Sequence, residues 1–365
     1  MFVIERFAGV FLYSFVLVVI CYSICCEKRK RYTHYFFIYC GILSIMAYFF
    51  IPIVESDIYR WANIFKEWRL FTFQKIYMYA TESSYTPLSY IYMYTLNRIG
   101  GYRLLMAVTA LIVYGCIFYI MKDYAKKNEI NRYVLALTLL FYMSSGIFID
   151  VISDVRYMMA FAILAVCFYR EIFYNQKTIV SIFFYLVAAL LHVSAWAIII
   201  IRFIALFVNK GLSIKKRVLS LGCLAIFSIL FFGRIATYLS NMFEKLNSYL
   251  LRPHYSYFWE YLIGGIVLCY LIVVFRKSIR FKYGKKEYLE VLKVFIIFNI
   301  FSIVEFNMFH RMVALNSILF IPIIEEYLNN SNTKIRKQNL LLISFVVLLI
   351  ACTRGHLCSY KFFVL

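Results

Sequence analysis

Apolar runs and short basic clusters alternate along the whole chain, and that alternation predicts the fold. The first run, Phe7 to Cys26, is preceded by one basic residue and followed by Lys28-Arg29-Lys30-Arg31. A secretory leader has the reverse polarity, so this run is expected to be a retained span whose basic end stays in the cytoplasm and whose start lies outside. Further runs fall at 35–54, 104–121, 132–149, 157–169, 178–191, 193–208, 218–233, 258–275, 288–305, 311–328 and 338–352. Most approach the roughly 20 residues that cross about 30 Å of hydrocarbon, and 157–169 and 178–191 are short. Twelve spans bring every basic connection to one side: Glu27–His34, Lys122–Arg132, Arg170–Lys177, Lys210–Arg217, Arg276–Lys286 and Lys334–Lys337. One more apolar stretch, Tyr85–Ile99, carries Pro87. A full crossing there would invert every later connection, so it is predicted to be re-entrant or interfacial. The expected fold is an all-α polytopic membrane protein, a single integral domain over 1–365. It has about 12 transmembrane helices plus that re-entrant or interfacial helix, with outer loops at 55–103 and 234–260.

Composition agrees. Hydrophobic residues make up 64% of the 365 and the mean hydropathy is +0.78, whereas a soluble domain is nearer half apolar. Lipid must therefore solvate most of the surface. The net charge of +21 would suggest nucleic acid in a soluble protein. Here many Lys and Arg sit in the short connections, so they read as the positive-inside signal and no nucleic-acid partner is expected. The ten cysteines mostly lie within apolar runs, without a C-x-x-C pair or Cys/His zinc spacing. They read as packing residues, and no metal or cofactor is expected.

Ionisable groups on the other side are the informative ones, because charge at or in the bilayer is costly. Asp57 and Arg60 share a helical face at i, i+3, close enough to pair; an interfacial salt bridge is the competing reading. Asp150 and Asp154 share a face, and Arg156 opens the next span, where a guanidinium could hold an anion or act as a snorkelling anchor. His192 lies within Ala188-Ala-Leu-Leu-His-Val-Ser-Ala-Trp196, apolar on both sides, and could be an acid–base group or a packed histidine. Glu305, His310 and Arg311 bracket a short turn. They offer proton transfer and anion binding, or a capped turn with an ion pair. Arg252 and His254 lie in the second outer loop. Arg202 sits deeper, with Glu260 or Glu290 as possible partners.

Ser56-Asp-Ile-Tyr-Arg-Trp61 resembles the Asp-x-x-Arg-Tyr-type motif of bacterial polysaccharide polymerases of the EpsG-like family and the related Wzy O-antigen polymerases. Val155-Arg-Tyr-Met-Met-Ala-Phe161 and Ala188-Ala-Leu-Leu-His-Val-Ser194 resemble that family's Arg-x-x-x-Ala helix and later A-x-x-x-H-x-S segment. Phe309-His-Arg-Met312 resembles its late arginine. Trp61 stands where tyrosine is usual, and the arginine and glycine often found before the early aspartate are absent.

The resemblance implies an enzyme at the outer face of the bacterial plasma (inner) membrane that joins oligosaccharide units carried on undecaprenyl pyrophosphate. Its partners would be that lipid-linked oligosaccharide, membrane lipid and a chain-length regulator protein. His192, Asp57, Asp154 and Glu305 are then the candidate catalytic groups. Arg156, Arg311, Arg60, Arg252 and His310 are candidates for binding pyrophosphate and glycan. Two other classes compete. A flippase for the same lipid should carry charges through the bundle and show internal symmetry. A membrane acyltransferase should carry a catalytic histidine on the basic side, where only His34 stands.

Overall fold

The computed structural model describes residues 2–27, 32–52, 57–82, 86–145, 147–174, 176, 179–208, 258–280, 286–330 and 334–353, and the elements among them are helices. They are Phe2–Cys26 (α1), Tyr32–Phe49 (α2), Asp57–Trp68 (α3), Phe73–Glu82 (α4), Pro87–Lys127 (α5), Arg132–Ser144 (α6), Ile147–Ser153 (α7) and Val155–Phe168 (α8). Ile179–Leu191 (α9), Val193–Val208 (α10), Phe258–Arg280 (α11), Lys286–Phe301 (α12), Phe306–Leu319 (α13), Ile321–Asn329 (α14) and Lys334–Thr353 (α15) follow. The expected run 218–233 lies outside the described residues, as does the second outer loop up to residue 257.

Among the described residues five helices are long and apolar enough to cross a membrane: α1, α2, α5, α11 and α15. The number is seven if α6 with α7, and α13 with α14, each make one bent span. The α13–α14 bend is 50° and follows from Pro322 at the start of α14, which cannot continue the hydrogen-bond ladder of α13. The remaining apolar helices are shorter, such as the 13 residues of α9. Large apolar side chains face outward, among them Phe37 at 79% exposure and Ile179 at 85%, as a lipid-solvated bundle requires.

Two reversals organise the chain. The first is inside α5. Tyr92 and Thr109 join hydroxyls at 2.9 Å, yet a straight helix would hold them roughly 25 Å apart. The chain doubles back at Gly100–Gly101, where Gly101 has φ +71° and ψ −167°, a conformation essentially reserved for glycine that costs a residue with a side chain about 1–3 kcal/mol. The predicted re-entrant or interfacial stretch is thus a helix separate from the span that follows it. Its far side carries the α3–α4 turn: Asn97 Nδ2 donates to Phe65 O, and the Arg98 guanidinium donates to Arg69 O and Phe71 O.

The second reversal is at His192. Tyr185 on α9 and Arg202 on α10 both engage Glu171, again incompatible with the roughly 25 Å that a continuous helix would put between them. His192, outside either helix, is the apex of an α9–α10 hairpin. Glu171, and neither Glu260 nor Glu290, is the carboxylate that pairs with Arg202, at 3.6 Å.

Polar contacts sort the two ends of the bundle. At one end Arg132 donates to Glu27 O, Asn131 N to Asn329 Oδ1, Asn128 to the Tyr174 hydroxyl, and the Tyr124 hydroxyl to Glu326. Three of the basic connections thus meet one another and the end of α14. The breaks between α7 and α8 and between α9 and α10 meet at the opposite end.

Candidate functional site

Asp154 is the residue where α7 stops and α8 begins, with φ −107° and ψ 48°. His192 is the apex of the α9–α10 hairpin. Asp57 and Trp61 lie on α3, and Arg311 lies in the second turn of α13. The two interruptions, at Asp154 and His192, converge on one cavity. Asp57, Trp61, Ser153, Asp154, Val155, Arg156, Tyr157, His192 and Arg311 line this partly open cavity, which has about 20 Å³ of free space. That is far below the roughly 300 Å³ at which small-molecule sites begin, so the cavity has room for reacting groups and not for a whole oligosaccharide.

The two inner guanidiniums are held by rings. Arg156 lies over Trp61 at 5.0 Å and Arg311 over Tyr157 at 4.9 Å. Among the described residues neither has a carboxylate within 4 Å. Stacking on a ring face leaves the N–H edge of a guanidinium open to a planar anion. Arg156 also occupies the first turn of α8, where the helix dipole disfavours a cation, so helix stability does not explain its placement. Arg60 instead pairs with Asp57 at the rim, with 70% of its side chain exposed.

The acid–base groups differ in state. Burial lifts the Asp154 carboxyl above its ordinary range, with Arg311 pulling it down and Asp150 pushing it up. Its Oδ2 accepts from the Ser153 hydroxyl at 3.3 Å. Burial, then Arg311 and Arg156, hold the His192 imidazole well below its ordinary value. Its ring meets Tyr157 edge-on at 5.9 Å.

Of the predicted residues, Asp57, Asp154, Arg156, His192 and Arg311 line the cavity, and Arg60 joins them through Asp57. His310 stands behind, its Nε2 2.8 Å from Asp150 Oδ1. Glu305 caps α13, accepting from Asn307 N, Asn307 Nδ2 and Met308 N. It is not among the cavity's lining residues, and the capped-turn reading fits it. Arg252 and His254 lie outside the described residues. The rings of Trp61 and Tyr157 were not expected as parts of the site; each lies within one turn of a predicted charge, which was the available signal.

The fold and the site together define a multi-pass helical membrane protein. Its cationic, acid-bearing cavity sits at the end of the bundle away from the basic connections. The chain belongs to the EpsG family, whose model matches residues 57–363. Members of that family are generally glycosyltransferase-like polymerases, which suggests a polysaccharide-polymerase-like role for this chain. No curated protein and no solved structure matches it.

Proposed function

We propose that the protein is a polysaccharide polymerase. It joins undecaprenyl-pyrophosphate-linked oligosaccharide units at the outer face of the plasma membrane, within a bundle of about twelve spans plus the re-entrant or interfacial helix 87–100. The observation that carries this reading is the pair of ring-stacked guanidiniums, Arg156 and Arg311, facing one cavity that also holds Asp154 and His192. Asp57 and Arg60 offset each other, so two cations face one carboxylate, and the cavity accepts an anion. A pyrophosphate leaving C1 of the growing chain supplies that anion, and its developing charge is what preorganised cations stabilise. An acceptor hydroxyl from the next lipid-linked unit needs a proton acceptor at the same place, which Asp154 offers.

The test is a reaction of purified protein with one lipid-linked repeat unit. A ladder of products on a gel, lengthening with time, is expected. Recovery of single units alone would remove the reading. In cells, deletion should leave single repeat units on the core or lipid, whereas loss of a flippase would leave none outside.

A further inference from the structure

His192 is the residue most readily given the role of base, yet its geometry is that of a donor. The backbone N–H of Ser194 donates to His192 Nδ1 at 3.2 Å. That bond closes the hairpin apex, because Ser194 lies in the first turn of α10, where backbone N–H groups lack partners within the helix. A ring nitrogen that accepts has its lone pair engaged, so in a neutral imidazole the proton belongs on Nε2. Among the described residues nothing engages Nε2, and the residue lines the cavity. The titratable and charged groups facing it are Arg311 and Arg156, with Tyr157 against its ring. Two cations and burial keep the ring uncharged.

We propose that His192 is a neutral hydrogen-bond donor, its Nε2–H directed at the pyrophosphate oxygen that leaves C1, and that Asp154 is the base. The proposal rests on the polymerase reading. In the step it describes, the acceptor hydroxyl oxygen forms a bond to C1 as the bond from C1 to the pyrophosphate oxygen breaks. The electron pair stays on that oxygen, where Arg156, Arg311 and the His192 N–H receive it. The hydroxyl proton passes to the Asp154 carboxylate and is later lost to solvent. Asp57, the other carboxylate of the cavity, is engaged by Arg60, which leaves Asp154 for this work.

The first measurement does not depend on the reaction. The chain has five histidines, and a spectrum of protein labelled with ¹⁵N-histidine, compared with that of His192→Gln, identifies the His192 ring nitrogens. A protonated Nε2 and an unprotonated Nδ1 are expected at pH 7. An unprotonated Nε2, or an imidazolium, would overturn the proposal whatever the protein catalyses. The second measurement is polymer formation by variants. Glutamine keeps an N–H donor, so His192→Gln should retain activity within about 10-fold of the parent. His192→Ala should lose about 100-fold or more, and Asp154→Asn about 1000-fold. Equal loss from both His192 variants, with Asp154→Asn still active, would make His192 the base and refute the assignment. If the parent protein makes no polymer, the polymerase reading fails and the donor's target with it, while the spectrum still decides the tautomer.

Discussion

Arg156 and Arg311 owe their place to flat rings and not to carboxylates, so a substitution that keeps charge but loses the planar fork should be costly. Arg156→Lys and Arg311→Lys are each expected to lower polymer formation by 10- to 100-fold at unchanged protein level, since an ammonium neither stacks nor grips bidentately. Glu305 gives the opposite expectation. Removing its cap in Glu305→Ala should cost about 1 kcal/mol of stability, seen as a lower melting temperature, with activity per folded molecule near that of the parent. The depressed His192 value has its own signature. As pH falls below 6.5 an unfolded imidazole takes a proton before the folded one does, so stability drops toward acid. The slope is at most about 1.4 kcal/mol per pH unit for one group. The buried Asp154 carboxyl works the other way, stabilising as pH falls. Melting temperature against pH, parent minus His192→Gln, isolates the histidine and should shrink toward acid. These charges were legible in the sequence because charge is rare at a membrane boundary. Their ring partners were not, because Trp and Tyr are ordinary there.

Among the elements, the two reversals show what periodicity can and cannot convey. The basic connections predict that Tyr85–Ile99 does not cross, and the Gly100–Gly101 turn separates that stretch from the span that follows it. The boundary at His192 was legible only as the meeting of two apolar runs, since no glycine or proline marks it. Glu171 was unreadable as the partner of Arg202, because nothing in spacing tells which helices neighbour one another. Helix approach is itself adjustable. A Cβ on Gly264 of α11 would stand 2.7 Å from the Phe309 ring of α13, next to His310 and Arg311. Gly264→Ala should therefore push the start of α13 outward and lower polymer formation several-fold without touching a cavity residue. A melting curve alongside separates displacement from unfolding.

For the molecule as a whole, the segregation of its ends is the strongest agreement between charge pattern and packing. Residues expected on the basic side touch one another, and those expected on the other side enclose the cavity. Orientation in the membrane is testable with a version whose ten native cysteines are replaced. Leu70→Cys, at a position 86% exposed on the α3–α4 turn, should react with an impermeant thiol reagent applied to intact cells. Asn128→Cys, at the basic end, should react only after permeabilisation.

The smallness of the cavity carries a consequence for the product. A space of about 20 Å³ can hold the bond being exchanged and little more. In the proposed polymerase the sugars already joined would lie beyond it, and a chain of two units would present the same face to the catalyst as a chain of twenty. Such an enzyme has no memory of how often it has turned over. Left alone it should produce a smoothly decaying spread of lengths, and any preferred size must be imposed by something that can count.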